Sequence, residues 1–97
     1  MNEPTSRLFK PAGIPTTKLE QVSLSVDEFE ALRLADYEGL YHEQAATMMD
    51  ISRQTFGRII CAARAKVATT LVEGKVLRIG GGVFKLGGNG CHRGLKD

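Results

Sequence analysis

Apolar positions recur at steps of three and four along Phe56, Ile59, Ile60, Ala63, Val67 and Leu71, which holds one helical face for about four turns. This is the strongest periodicity in the chain. Ser52 caps its start and Gly74 ends it. A shorter helix fits Tyr41 to Met49, with Ala45, Ala46, Met48 and Met49 inward, and Asp50-Ile51-Ser52 breaks it. Upstream, Ser25 and Glu28 have capping-box spacing. Phe29, Leu32 and Ala35, with Ala31 and Leu34, then supply the stripe of a helix predicted over Val26 to Glu38. Gly39 suits the left-handed position past its end. Gln21 to Val26 alternates at period two and reads as a short strand, as does Lys75 to Ile79. The two strands are expected to pair within the chain or across a dimer, with the dimer favoured.

The flanks read differently. Three prolines in the first eighteen residues fix φ and push their predecessors toward extended backbone, so residues 1–18 are expected to be an extended N-terminal arm. Seven of the eighteen residues from Gly80 to Asp97 are glycine, and the expectation for 81–97 is a flexible Gly-rich C-terminal tail. Residues 19–80 are then the folded domain. The fold class is mainly α: a three-helix domain with short flanking β-strands.

Ninety-seven residues close one core, and 42% apolar content with 25% charge suits a folded domain. No apolar run approaches the ~20 residues of a membrane span, and the N-terminus has no signal-peptide stretch, so a cytoplasmic protein without membrane contact is expected. Cys61 and Cys91 make no disulfide framework and read as reduced thiols. The net charge of +2 hides an asymmetry. Ser25 to Asp50 holds seven acids against Arg33 alone, whereas Ile51 to Lys75 holds five bases against Glu73 alone. Such a split favours a polyanion on one face, unless the two segments neutralise each other.

One constellation carries chemistry. A helix-turn-helix needs a small residue where its helices cross, then a turn residue tolerant of positive φ, an apolar plug and a capped second helix. Ala46, Asp50, Ile51 and Ser52 occupy that series, and Phe56 and Ile59 are placed to pack the second helix on the first. Asp enters the left-handed region at modest cost. Opposite Phe56 and Ile59 lie Arg53, Gln54, Gly57, Arg58 and Cys61. Arg pairs bidentately with guanine and Gln with adenine. Gly57 costs about 1 kcal/mol in a helix interior, and close approach to DNA accounts for it. Arg53, Gln54 and Arg58 are therefore the base-reading candidates. Ser52, Thr55, Arg64, Lys66 and, from the arm, Lys10 are the DNA backbone candidates.

The blocks Phe9-Lys10-Pro11-Ala12-Gly13-Ile14-Pro15, Glu30 to Asp36 and Ile51 to Ile59 resemble an uncharacterised prokaryotic family of small proteins described as DNA-binding. Its helix-turn-helix is similar to region four of sigma factors. The resemblance spans about residues 7 to 82, with Asp50 where the family usually has glycine. It implies a winged or sigma-like three-helix domain and a role in transcription, but no target gene.

Other chemistries fare worse. His42, Cys61, Cys91 and His92 lack the paired spacings of a metal site, so no metal and no cofactor are expected. The glycines at 80–82 and 87–90 fit no phosphate-loop motif. No nucleophile–base–orienter set is present, so no enzyme is expected. The expectation is sequence-specific double-stranded DNA binding by a transcriptional regulator, as a homodimer because one unit covers few base pairs. The alternative is a protein-interaction module that docks its acidic first helix on transcription machinery without reading DNA.

Overall fold

The computed structural model of the chain describes residues 6–15 and 18–80. The elements in order are β1 (Leu8–Phe9), β2 (Gln21–Leu24), α1 (Val26–Leu32), a π-helical turn (Arg33–Tyr37), α2 (His42–Met49), α3 (Arg53–Glu73) and β3 (Val76–Ile79). Among the described residues, three helices and a small three-stranded sheet make a mainly helical fold. The expected tail at 81–97 lies outside the described residues.

Local signals start and stop the helices as the sequence suggests. Ser25 Oγ accepts from the Glu28 N–H at 3.0 Å while Glu28 Oε1 accepts from the Ser25 N–H at 2.9 Å, closing the capping box of α1. The expected helix to Glu38 changes pitch at Arg33, where the Glu38 N–H reaches back five residues to the Arg33 carbonyl at 2.8 Å. Arg33 braces this wide turn, donating to both Glu30 oxygens and to Glu38. The hydrogen bond to Glu30, ahead of the other contributions, raises the guanidinium pKa. Gly39 has φ +77° just past the turn, and Gly74 closes α3 at φ +68°.

The sheet differs from expectation in two ways. Gln21–Leu24 and Val76–Ile79 do pair, but within the chain and parallel, from Gln21↔Val76 to Leu24↔Ile79. The arm also contributes a strand: Leu8–Phe9 runs antiparallel on the other edge of β3, giving the order β1-β3-β2. The Ile79 N–H donates to the Arg7 carbonyl at 2.9 Å, so the arm is anchored by backbone rather than loose. Lys75 leads into β3 held by Glu73 and Glu20, whose hydrogen bonds, Glu73 first, raise its pKa.

Two apolar clusters share α3 as their wall. Phe56 and Ile60 pack with Ala31, Leu34, Ala45 and Ala46, joining the three helices. Ala63 and the partly buried Val67 pack with Leu24, Leu77 and Ile79, joining α3 to the sheet, and Leu32 borders both clusters. Two residues depart from the expected stripes. Met48 is 64% exposed and Leu71 is 76% exposed. In the last turns of α3 Thr70 is buried instead, its hydroxyl donating to the Lys66 carbonyl at 2.9 Å.

Candidate nucleic-acid interface

The turn between α2 and α3 is built from backbone upward. Asp50 closes α2 at φ 61°, ψ 43°, and is the one non-glycine with positive φ among the described residues. Its N–H donates to the Thr47 carbonyl at 3.1 Å, and the Ile51 N–H reaches the Ala46 carbonyl at 3.0 Å. This crossed pair satisfies carbonyls a helix end otherwise leaves open, and it drives Ile51 back onto the helix as an apolar plug. Ser52 then caps α3, its Oγ accepting from the Thr55 N–H at 3.0 Å and donating to Thr55 Oγ1 at 3.0 Å.

Small residues let the two helices approach. Ala45 and Ala46 are both buried, and Phe56 is fully enclosed between α2 and α1. The His42 ring meets the Phe56 ring edge-on, with centroids 5.2 Å apart. With Phe56 inward, the other side of the first turns of α3 is turned out. Ser52, Arg53, Gln54, Thr55 and Arg58 are exposed, and Ile59 is partly buried. Gln54 and Arg58 lie one turn apart on that outer side, with Arg53 beside them.

The five backbone candidates separate. Ser52 and Thr55 sit at the helix start but bond each other through the cap. Lys10 is exposed in the arm and its Nζ donates to the Ile14 carbonyl at 3.1 Å. Arg64 grips Asp36 through two hydrogen bonds of 2.8 and 3.1 Å at an exposed site. Lys66 donates to Glu28 Oε1 at 2.8 Å, and Glu28 is only 3% exposed. The same carboxylate therefore caps α1 and receives α3. These pairings join residues 28 and 38 positions apart, and no local signal announced them. Cys61, expected as a reduced thiol, is half-buried and disulfide-bonded. Cys91 and His92 lie outside the described residues.

The chain belongs to the family described as "Protein of unknown function DUF134", which matches residues 1–87. A UPF0251 protein of Prosthecochloris aestuarii is 61% identical over 80 residues, covering 82% of this chain and 52% of that protein. Another from Syntrophobacter fumaroxidans is 62% identical over 80 residues, covering 82% and 51%. A third, UPF0251 protein TTE1845 of Caldanaerobacter subterraneus subsp. tengcongensis, is 50% identical over 97 residues, covering 98% and 82%. The chain thus spans about half the length of the first two relatives. No solved structure matches it. The membership agrees with the resemblance to an uncharacterised prokaryotic family. Among the described residues, no helix is long and apolar enough to cross a membrane.

Two outcomes follow for stability. Lys66→Ala is expected to cost about 1–3 kcal/mol in urea unfolding, because it strips the Glu28 carboxylate of its cation in a mostly buried site. Arg64→Ala, at an exposed pair, costs less than about 1 kcal/mol; equal costs would mean that burial of Glu28 does not matter. At the turn, Asp50→Ala is expected to lower stability by about 1 kcal/mol and Asp50→Gly to preserve or raise it, measured by the same unfolding curves.

Proposed function

We propose that α2 and α3 are a helix-turn-helix that binds double-stranded DNA in a sequence-specific manner, of the kind found in region four of sigma factors, and that the chain regulates transcription in the cytoplasm. The observation that carries this reading is the left-handed Asp50 between a small-residue crossing and a capped helix whose exposed first turns present Arg53, Gln54 and Arg58. In this reading the first turns of α3 enter the major groove. Gln54 and Arg58 read adenine and guanine edges, and Arg53 reads a neighbouring base. Ser52 and Thr55 at the helix start meet phosphates, with Arg64 at the margin and Lys10 as an arm contact. Lys66 is assigned to the fold, since its charge is used on Glu28.

The alternative of an acidic docking helix loses much of its surface. Glu28, Glu30 and Asp36 are turned to Lys66, Arg33 and Arg64 within the chain. Two of these pairs, Glu28–Lys66 and Asp36–Arg64, join the acidic segment to the basic one.

Gly57 supports the reading from another side. A methyl group placed on it would meet nothing within 4 Å in the protein, so internal packing does not explain this helix-interior glycine. Close approach of a DNA backbone or base edge does.

Fluorescence anisotropy with a labelled duplex at several salt concentrations tests the proposal. Affinity is expected to fall steeply with salt, with a slope of about −0.9 in log–log terms for each phosphate contacted. Gln54→Ala and Arg58→Ala should each cost about 1–3 kcal/mol and relax preference at one base pair. No duplex binding at low salt by folded protein sinks the reading. Gly57→Ala is expected to raise thermal stability by up to about 1 kcal/mol while weakening duplex affinity; unchanged affinity would remove Gly57 from the interface.

A further inference from the structure

The sequence holds two cysteines, Cys61 and Cys91. Cys61 lies in the third turn of α3, half-buried, and is disulfide-bonded. With no third cysteine in the sequence, Cys91 is the partner left to it. We infer that a Cys61–Cys91 disulfide straps the C-terminal segment across the outward side of α3, and that its opening by a small thiol frees the first turns of that helix for duplex DNA. The second half of this inference rests on the DNA reading proposed above.

The chain is long enough to make the bond without disturbing the domain. Ile79 packs in the same cluster as Ala63, two residues from Cys61, so β3 ends beside the middle of α3. Cys91 stands eleven positions after Gly80. Such a stretch spans up to about 36 Å when extended, whereas passing halfway round a helix of about 10–12 Å diameter takes roughly 17 Å. Half of the ten residues between Gly80 and Cys91 are glycine, which bends round a helix at little steric cost.

The bond falls on the side of α3 that the proposed reading uses. At about 100° per residue, Cys61 lies roughly 20° around the helix from Gln54, about 40° from Gly57 and about 60° from Arg58. It stands one turn, about 6 Å, past Gly57. Arg53, Gln54 and Arg58 are exposed to water, but a duplex needs far more room than water does. The major groove is about 12 Å wide, and a single helix with its side chains fills it. No width is left for a second length of chain fixed to α3 one turn beyond Gly57.

Opening the strap is a thiol–disulfide exchange. The thiolate of a small thiol attacks one sulfur of the bond and the S–S bond breaks. A mixed disulfide forms, and the other cysteine leaves as a thiolate that takes up a proton. A second small thiol then displaces the first, so both cysteines end as thiols and the two small thiols leave joined as their own disulfide, having supplied two electrons. The same steps in reverse, with the small disulfide as oxidant, close the strap. The cytoplasm, where the chain is proposed to act, keeps thiols reduced, and the disulfides that form there are mostly transient, catalytic or redox-sensing. The strap is therefore open under ordinary conditions and closes under oxidation.

Peptide mapping and duplex binding on the same full-length protein test both halves. After treatment with oxidised glutathione, tryptic digestion without reductant should yield peptide 59–64 joined to peptide 86–93, from a species of monomer mass. A labelled duplex at low salt should then bind at least roughly tenfold more tightly once dithiothreitol is added. Cys91→Ser should bind as the reduced chain does with or without dithiothreitol, which separates release of the segment from any other effect of the reagent. Two free thiols after the glutathione treatment, or a bond that joins two chains, overturn the strap. Equal affinity in the two states, or tighter binding by the oxidised chain, overturns the switch. Where the joined peptides are found and neither state binds duplex, the strap stands and the DNA reading fails, taking the switch with it.

Discussion

A single unbroken helix, α3, is the wall against which both apolar clusters form, and the rest of the structure depends on that sharing. Its first turns bury Phe56 and Ile60 among α1 and α2, and its middle buries Ala63 against the sheet. Twenty-one residues rise about 30 Å, long enough for two cores and an exposed end. Because interiors are close-packed, neither cluster shifts without displacing the common helix. The orientation of Arg53, Gln54 and Arg58 is consequently set by contacts that lie mostly behind them.

Electrostatics divides along the same helix. The acidic segment before Asp50 and the basic segment after it meet through Glu28–Lys66 and Asp36–Arg64. The Glu28 pair sits where solvent screening is weak and the Asp36 pair where it is strong, so the first fixes α1 on α3 and the second adds little. A net charge of +2 thus describes a molecule whose acids are partly used up in holding its bases.

Much of this was readable from local chemistry. Ser25, Glu28, Gly39, Asp50, Ser52 and Gly74 act on backbone groups only a few positions away, so they marked the element ends from sequence alone. Ala46 and Phe56 were readable for a similar reason, since the crossing they form lies within one helix hairpin. What failed depends on partners distant in sequence. Periodicity placed Leu71 in the core, but it cannot say where the neighbours of a helix run out, and Thr70 faces inward in that turn. Met48 fails alike. Leu8–Phe9 is too short to show an alternation, and its strand exists only because β3 offers an edge. The five-residue reach at Arg33 leaves no mark in hydrophobic spacing. At the candidate interface the exposed Arg53, Gln54 and Arg58 were legible, whereas the attachment of Lys66 to Glu28 was not.

The parallel pairing of β2 with β3 sets an order of events. Gln21 and Val76 are partners fifty-five residues apart, so β2 cannot find its neighbour until both helix connections and all of α3 have been made. Contacts among α1, α2 and the start of α3 span far shorter stretches and close with a smaller entropic loss. A chain emerging from the ribosome would therefore assemble its helical half while β2 waits with its edge unpaired. The sheet is the last part to close, and only its closure joins the two ends of the domain.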